Sequence, residues 1–298
     1  MSGILVINKP EGITSFGVIA RLRKILGEKK IGHSGTLDPM ATGVMTVLVG
    51  GSATRFCELL PSHDKAYEAT LKLGIITDTL DITGNVLEQR EVKATAEDFC
   101  REAMKFTGEI TQVPPMYSAV SVNGQRLYDL ARKGIEVERP ERQVTIYSLD
   151  ILESNEAENE YKICVECSSG TYIRTLIADI GEALDCGAVR TSLNRVKANG
   201  FTIEDSVTID ELRALADEGK AHSRIIPVDV ALTAYPEMSV SPAQAKRFAN
   251  GGELAMERVH GCEKPGIYRV YSPEHKFLGL GENDGGENLN VKRVYTGE

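Results

Sequence analysis

The chain is cut into short apolar runs that never settle into a single period. Its longest strongly apolar stretch, Val44-Met45-Thr46-Val47-Leu48-Val49, has the length of one buried strand and is far too short to cross a membrane. Residues 67–73 alternate as a half-buried strand does, and 144–152 and 161–167 read as strands that flank an acidic turn. Helical spacing marks Val18, Ile19, Leu22, Ile25 and Leu26, and again Ile173, Leu176, Ile177, Ile180 and Leu184. Strands outnumber helices without strict strand–helix alternation. That pattern predicts an α+β fold rather than a doubly wound sheet.

The punctuation between these runs is specific. A first strand over 3–7 stops at the turn-rich Asn8-Lys9-Pro10-Glu11-Gly12, and Thr14 or Ser15 then caps a helix closed by Gly27. A polar, glycine-rich loop is expected over 32–39, and Ser52 is expected to cap a short helix to Leu60. Thr95 with Asp98, and Thr208 with Glu211, have the spacing of capping boxes. Residues 118–122 read as a short strand ended by the tight-turn pair Asn123-Gly124, followed by a basic helix over 126–133. Thr171 is expected to open the helix that Gly187 closes, and residues 227–236 read as a linker into a small strand- and glycine-rich region.

The N-terminus has neither the basic head nor the apolar run of a secretory signal, so a soluble, cytoplasmic chain with free thiols is expected. Cys164 and Cys167 form a C-x-x-C, but on a strand positions i and i+3 face opposite ways, and no second pair accompanies them. The five histidines are scattered, and no metal is expected. With 34 Lys+Arg against 43 Asp+Glu the net charge is −9. Residues 1–60 nonetheless carry seven basic side chains against four acids, which suits either one basic, phosphate-facing surface or an ordinary solvated one.

No phosphate-binding glycine loop and no G-x-S-x-G elbow occurs, which leaves nucleotide-cofactor and α/β-hydrolase chemistry without a motif. What remains is Asp38, bracketed by Gly32, Gly35, Gly43 and Pro39 next to His33. Such a frame can hold a carboxylate rigidly beside a substrate, or Asp38 can simply start a turn before proline. In Ser168-Ser169-Gly170-Thr171-Tyr172-Ile173-Arg174 a glycine turn delivers Tyr172 and Arg174 onto the start of a helix. Arg174 is then either a surface cation or, partly buried, a partner for a carboxylate such as Asp38. Tyr67, at the start of a strand, is a core residue or a platform for a base.

Taken in order, Asn8-Lys9-Pro10-Glu11-Gly12-Ile13-Thr14-Ser15, then Gly32-His33-Ser34-Gly35-Thr36-Leu37-Asp38-Pro39-Met40-Ala41-Thr42-Gly43, Lys65-Ala66-Tyr67, Gly170-Thr171-Tyr172-Ile173-Arg174-Thr175 and Leu193-Asn194-Arg195 closely resemble the TruB family of bacterial tRNA pseudouridine synthases. The resemblance covers about residues 3–200, and residues 236–298 are similar to the family's small PUA-type RNA-binding domain. It implies a mixed, largely antiparallel sheet of the pseudouridine synthase fold with flanking helices, followed by a small β-rich PUA-like domain. The implied catalytic domain is 1–232, with a thumb-like RNA-contacting segment at 118–142.

The resemblance further implies that uridine 55 in the T-loop of tRNA is isomerised to pseudouridine, without cofactor or metal. Asp38 would be the catalytic carboxylate, with Arg174 paired to it and Tyr67 stacked on the uracil. Tyr172 and Leu193 would line the pocket, His33 would fill the space of the flipped base, and Lys9 would support the Asp38 loop. Arg126, Arg132, Lys133, Arg139 and Arg142 would meet phosphates. Whether the carboxylate attacks covalently or abstracts a sugar proton stays open. The implied enzyme is a monomer that needs no protein partner and no membrane. A first motif starting at Asn8, with no basic tail, suits a stand-alone enzyme better than a guide-RNA-dependent subunit. A tRNA-folding chaperone is the reading from another class.

Overall fold

The computed structural model describes residues 2–122 and 124–297. In chain order come β1 (Gly3–Lys9), α1 (Ser15–Leu26), β2 (Ile31–Ser34), β3 (Thr42–Val49) and α2 (Gly51–Thr54). There follow β4 (Lys65–Leu73), β5 (Ile75–Thr77), β6 (Val86–Gln89), α3 (Ala96–Met104), β7 (Gly108–Gln112), β8 (Ser121–Val122), β9 (Gln125–Arg126) and α4 (Leu127–Ala131). Then come β10 (Arg142–Asn155), β11 (Glu160–Cys167), α5 (Ile173–Ala183), β12 (Ala188–Ala198) and α6 (Ile209–Asp217). The backbone packs into two units. One comprises Met1–Pro39, Gly43–Ser62 and Asn199–Glu298, the other Met40–Thr42 and His63–Ala198.

In the first unit β3 pairs antiparallel with β1 and β2, and the outer edge of β1 is closed by backbone bonds from Val207 and Ile226. Leu5, Ile7, Met45, Val47 and Val49 meet Val18, Ile19 and Leu22 of α1 and Ile209 and Leu212 of α6 in one core. Each buried aliphatic side chain of this kind contributes roughly 1.5–3 kcal/mol. Thr14 caps α1 by accepting the Gly17 N–H at 2.9 Å, and Gly27 ends it at φ 64.

The same unit holds a five-stranded sheet in the order Glu237–Ser239, Gly266–Tyr271, Phe277–Asn283, Asn288–Val294, Leu254–Ala255, with the helix Pro242–Ala249 contributing the fully buried Phe248 to its core. This is the small β-rich C-terminal domain expected of the PUA-like type. Its last residues return to the chain's start. The buried Phe56 ring lies 6.0 Å from both Phe277 and Tyr295, whose own centroids are 5.4 Å apart. The Tyr295 hydroxyl donates to the Ser2 carbonyl at 3.3 Å, and the hydroxyls of Ser52 and Thr296 share a hydrogen bond.

In the second unit five antiparallel strands lie in the order β12-β4-β11-β10-β7. Along β11 the side chains alternate between buried and half-buried, with Tyr161, Ile163, Val165 and Cys167 inward. Helix α3 covers one end of this inner face, with Phe99 stacked on Tyr161 at 3.9 Å, and α5 packs along β12.

Several local expectations change. The loop expected from Gly32 begins as strand β2, because pairing Ile31–Ser34 with residues 46–49 satisfies backbone that its glycine-rich composition alone would leave as coil. Ser52 does not cap a helix. Gly50, at φ 87, takes the cap position of α2, which ends at Thr54, and a separate 3-10 turn covers Cys57–Leu59. The strand expected over 118–122 shortens to Ser121–Val122, and the Asn123 half of the expected turn lies outside the described residues. The basic helix is only Leu127–Ala131, with Arg126 at its N-cap. Thr171 does not open α5. Tyr172 stands at that cap, while the Thr171 hydroxyl donates to the Ser168 carbonyl at 2.9 Å.

Candidate active site

The loop carrying Asp38 is pinned on both sides of that residue. The buried Ser15 hydroxyl donates to the Leu37 carbonyl at 3.0 Å and accepts the Leu37 N–H at 2.9 Å. The Pro39 carbonyl accepts the Gly12 N–H at 2.8 Å and the Lys9 ammonium at 3.2 Å. Lys9, at the end of β1, is fully buried and also donates to the Pro10 carbonyl at 2.8 Å. A buried ammonium needs such acceptors, and meeting them stiffens the loop. Asp38 itself stays half-buried, as does His33 on β2 opposite Val47. Lys9, His33 and Asp38 thus belong to the first unit.

Tyr67, Tyr172, Arg174 and Leu193 belong to the second. On β4, Tyr67 lies opposite Val165 on one side and Arg195 on the other, and Leu193 lies opposite Ala69 two residues along. These positions share the inner face of the sheet, at the end away from the Phe99–Tyr161 stack. Tyr67 and Leu193 are each 7% exposed, so both are core-like and yet reach the surface. The Thr42 hydroxyl donates to Asn194 Oδ1 at 3.2 Å beside Leu193.

Arg174, on the first turn of α5, is buried, and its guanidinium donates to the Tyr117 carbonyl at 2.8 Å and the Thr79 carbonyl at 3.0 Å. It also lies 3.8 Å from Asp81, a carboxylate that sequence reasoning missed. Asp81 is 5% exposed and lies 3.1 Å from Nη2 of the buried Arg190. Its other oxygen accepts from the hydroxyls of Thr79 at 2.9 Å and Thr83 at 2.5 Å and from the Thr83 N–H at 3.1 Å. One carboxylate therefore serves two buried cations and one turn. The available signal was the turn-forming Asp78-Thr79-Leu80-Asp81-Ile82-Thr83-Gly84, whose partners lie far along the chain.

Tyr172 is held as well. Arg142, expected to meet RNA, has its guanidinium carbon 5.5 Å from the Tyr172 ring centroid, with Nη1 directed to the Gly170 carbonyl. Arg126 donates to the Ala119 carbonyl, Arg132 lies over the Tyr128 ring at 5.6 Å, and Arg139 donates to the Pro114 carbonyl at 3.1 Å. Arg126, Arg132 and Lys133 remain exposed.

Burial, reinforced by the nearby charge of Arg195, lowers the pKa of Lys65, whose ammonium donates to the His63 carbonyl at 2.8 Å. Burial pushes the Cys167 thiol up to about 11 and also raises Cys164, so neither carries thiolate near neutral pH. Cys167 is buried and Cys164 half-buried on alternate faces of β11. Among the described residues no cluster of three His, Cys, Asp or Glu side chains could hold a metal ion, and no helix is long and apolar enough to cross a membrane.

Residues 23–173 match the family described as TruB family pseudouridylate synthase (N terminal domain). Residues 174–233 match the tRNA pseudouridylate synthase B C-terminal domain, and 236–295 match Pseudouridine synthase II TruB, C-terminal. The chain is 46% identical over 284 residues to the tRNA pseudouridine synthase B of Clostridium kluyveri, covering 95% of this chain and 96% of that one. The chain belongs to the TruB family. It is also 43% identical to the Clostridium acetobutylicum protein of the same name, over 99% of this chain and all of that one. Among solved structures, one titled a Cbf5-Nop10-Gar1 complex is similar at a TM-score of 0.75 and 25% identity, covering 99% of this chain and 85% of that chain. A second, an H/ACA RNP bound to a substrate RNA, shares the fold at a TM-score of 0.73 and 23% identity. The fold is that of the pseudouridine synthases, α+β as expected.

Proposed function

We propose that this TruB-family chain isomerises a uridine in the T-loop of tRNA, at position 55, to pseudouridine, with Asp38 as the catalytic carboxylate. The observation that carries the assignment of Asp38 is the rigidity of its loop. Ser15, Gly12 and Lys9 fix the backbone at Leu37 and Pro39 while Asp38 itself stays partly accessible. A preorganised carboxylate loses little on meeting its target, which is what positioning contributes to catalysis.

The reaction breaks the N1–C1′ bond, turns the uracil over and joins C5 to C1′; the C5 hydrogen leaves to solvent as a proton and the freed N1 takes one up. Atoms and electrons balance within the nucleotide, so the chemistry calls for no redox cofactor. An ionised Asp38 begins the sequence, either by attacking covalently or by taking a sugar proton. The motif that Arg174 occupies assigns it as the cation that partners the catalytic carboxylate during the reaction. Tyr67 stacks on the uracil, and Tyr172 and Leu193 wall the pocket. The base leaves its stack at a cost of roughly a few kcal/mol, and His33 occupies the vacated space. Residues 1–232 form the catalytic domain and 236–298 an RNA-binding domain. Within the first of these, the exposed Arg126, Arg132 and Lys133 of segment 118–142 contact phosphates and position the RNA. The enzyme acts in the cytoplasm as a monomer.

The test is tritium release from a tRNA transcript carrying 5-tritiated uridine. Wild type is expected to release about one equivalent per tRNA, lost when the T-loop uridine is replaced. Asp38→Asn is expected to release none while binding tRNA within about threefold of wild type. Turnover by Asp38→Asn, checked for deamidation, would overturn the assignment.

A further inference from the structure

The residues after β7 run along the first turn of α5, and the contact that begins this strap is a two-point clamp. The Gln112 side chain, 1% exposed, accepts the Tyr172 N–H through Oε1 at 3.0 Å and donates from Nε2 to the Tyr172 carbonyl at 3.2 Å. One side-chain amide thus meets both polar groups of one backbone residue, as a neighbouring strand would. The next steps of the strap continue the contact, with the Tyr117 carbonyl accepting Arg174 Nη2 at 2.8 Å.

Tyr172 does not cap its own helix: it stands at the N-cap position of α5, at φ −104 and ψ 107, but its side chain makes no capping bond. Its carbonyl already accepts the Leu176 N–H at 3.0 Å, so Gln112 supplies that oxygen's second bond. The cross-strand neighbour of Gln112 is Arg142, whose guanidinium lies against the Tyr172 ring. One end of the β7–β10 pair therefore grips both the backbone and the ring of a single residue.

We infer that Gln112 is a positioning residue for the isomerisation. It fixes the main chain at Tyr172, and with it the pocket wall and the direction in which Arg174 leaves the helix. This rests on the functional reading above and extends it to a residue that touches no substrate. Displacing a pocket wall by about 1 Å can slow a reaction on the order of a hundredfold with little change in binding.

Two variants separate positioning from packing. Gln112→Met keeps the length and loses both bonds. Gln112→Glu keeps the acceptor but, when ionised, cannot donate to the Tyr172 carbonyl and repels it. Protonated, the same carboxyl has one donor and one acceptor and restores the clamp. In the tritium assay Gln112→Met is expected to lower kcat about 30-fold at every pH, with KM for tRNA within about threefold. The deficit of Gln112→Glu relative to wild type at the same pH is expected to be as large at pH 8 and to shrink at least fivefold at pH 5.5. Packing alone would not reverse with pH. A Gln112→Met kcat within threefold of wild type, or a Gln112→Glu deficit that does not change with pH, overturns the inference. If Gln112→Met fails to fold, the pH ratio of Gln112→Glu decides alone. Should wild type itself release no tritium, the isomerase reading fails separately. Amide hydrogen exchange at Tyr172 then decides the clamp, expected at least tenfold faster in Gln112→Glu at pH 8 than in wild type and overturned if unchanged.

Discussion

Replacing Asp81 by Asn removes one negative charge and almost no volume, so its cost reads the electrostatics of the buried cluster. Asp81 lies 3.1 Å from Arg190 and 3.8 Å from Arg174, and the three residues are 5%, 1% and 6% exposed. Guanidinium groups cannot shed their protons to escape burial. Removing one member of a buried ion pair costs roughly 3–5 kcal/mol. The amide oxygen of Asn can still accept from Thr79 and Thr83, which places Asp81→Asn near the lower end, about 3 kcal/mol. At roughly 2–4 °C per kcal/mol for a domain of 150–250 residues, that corresponds to a fall in Tm of about 6–12 °C. Urea unfolding followed by circular dichroism measures the loss. A cycle of Asp81→Leu, Arg190→Met and the double variant isolates the pair, and the double variant should lose at least about 1 kcal/mol less than the sum of the singles. Asp81→Asn within about 1 kcal/mol of wild type, or strictly additive singles, would refute the argument that this carboxylate neutralises the two arginines.

Burial, with Glu182 one turn away, raises the Asp179 carboxyl to about 6. A folded pKa above the unfolded one means the native state holds the proton more tightly, so this contribution to stability is present below about pH 4 and lost as pH rises towards 6. Asp179→Asn is therefore expected to gain about 1 kcal/mol at pH 8, after discounting for partial exposure, and almost nothing at pH 4. Urea midpoints at the two pH values test this, and an equal gain at both would count against desolvation as the cause. Phe56 is fully buried under Phe277 and Tyr295. Phe56→Ala should cost about 3–5 kcal/mol and expose the C-terminal tail to carboxypeptidase, an outcome incompatible with a loss below about 1 kcal/mol.

What could be read from the sequence was what neighbours decide. The capping boxes at Thr95 with Asp98 and Thr208 with Glu211 form as their spacing requires, because both partners lie within one turn. Gly27 ends its helix for an equally local reason. The alternation along β4 marked that strand and its inner face. The helix starts expected at Ser52 and Thr171 do not form there, because a hydroxyl before an apolar run is only a candidate cap. Each hydroxyl found another partner, Thr296 and the Ser168 carbonyl. Asp81 and Gln112 were illegible for a different reason. Their partners Arg190 and Tyr172 are 109 and 60 residues away, and no periodicity announces which polar residue a fold will bury against which. A carboxylate for Arg174 could be suspected, with Asp38 as the candidate, but composition alone could not show that Asp81 lies 3.8 Å from it.

The return of Tyr295 and Thr296 to Ser2 and Ser52 also sets an order of events during synthesis. Residues 63–198 are nearly all of one unit and emerge from the ribosome as a continuous block, able to pair their strands while the rest is still being made. The opening segment can pair β1, β2 and β3 among themselves but cannot complete its core. The edge of β1 waits for Val207 and Ile226, and Phe56 waits for Phe277 and Tyr295. At about 5–20 residues per second, the final hundred residues take roughly 5–20 seconds to appear. For that interval one edge of the first apolar strand and the part of its core that α6 covers stand open, so a chain stalled near its end presents chaperones and proteases with its beginning.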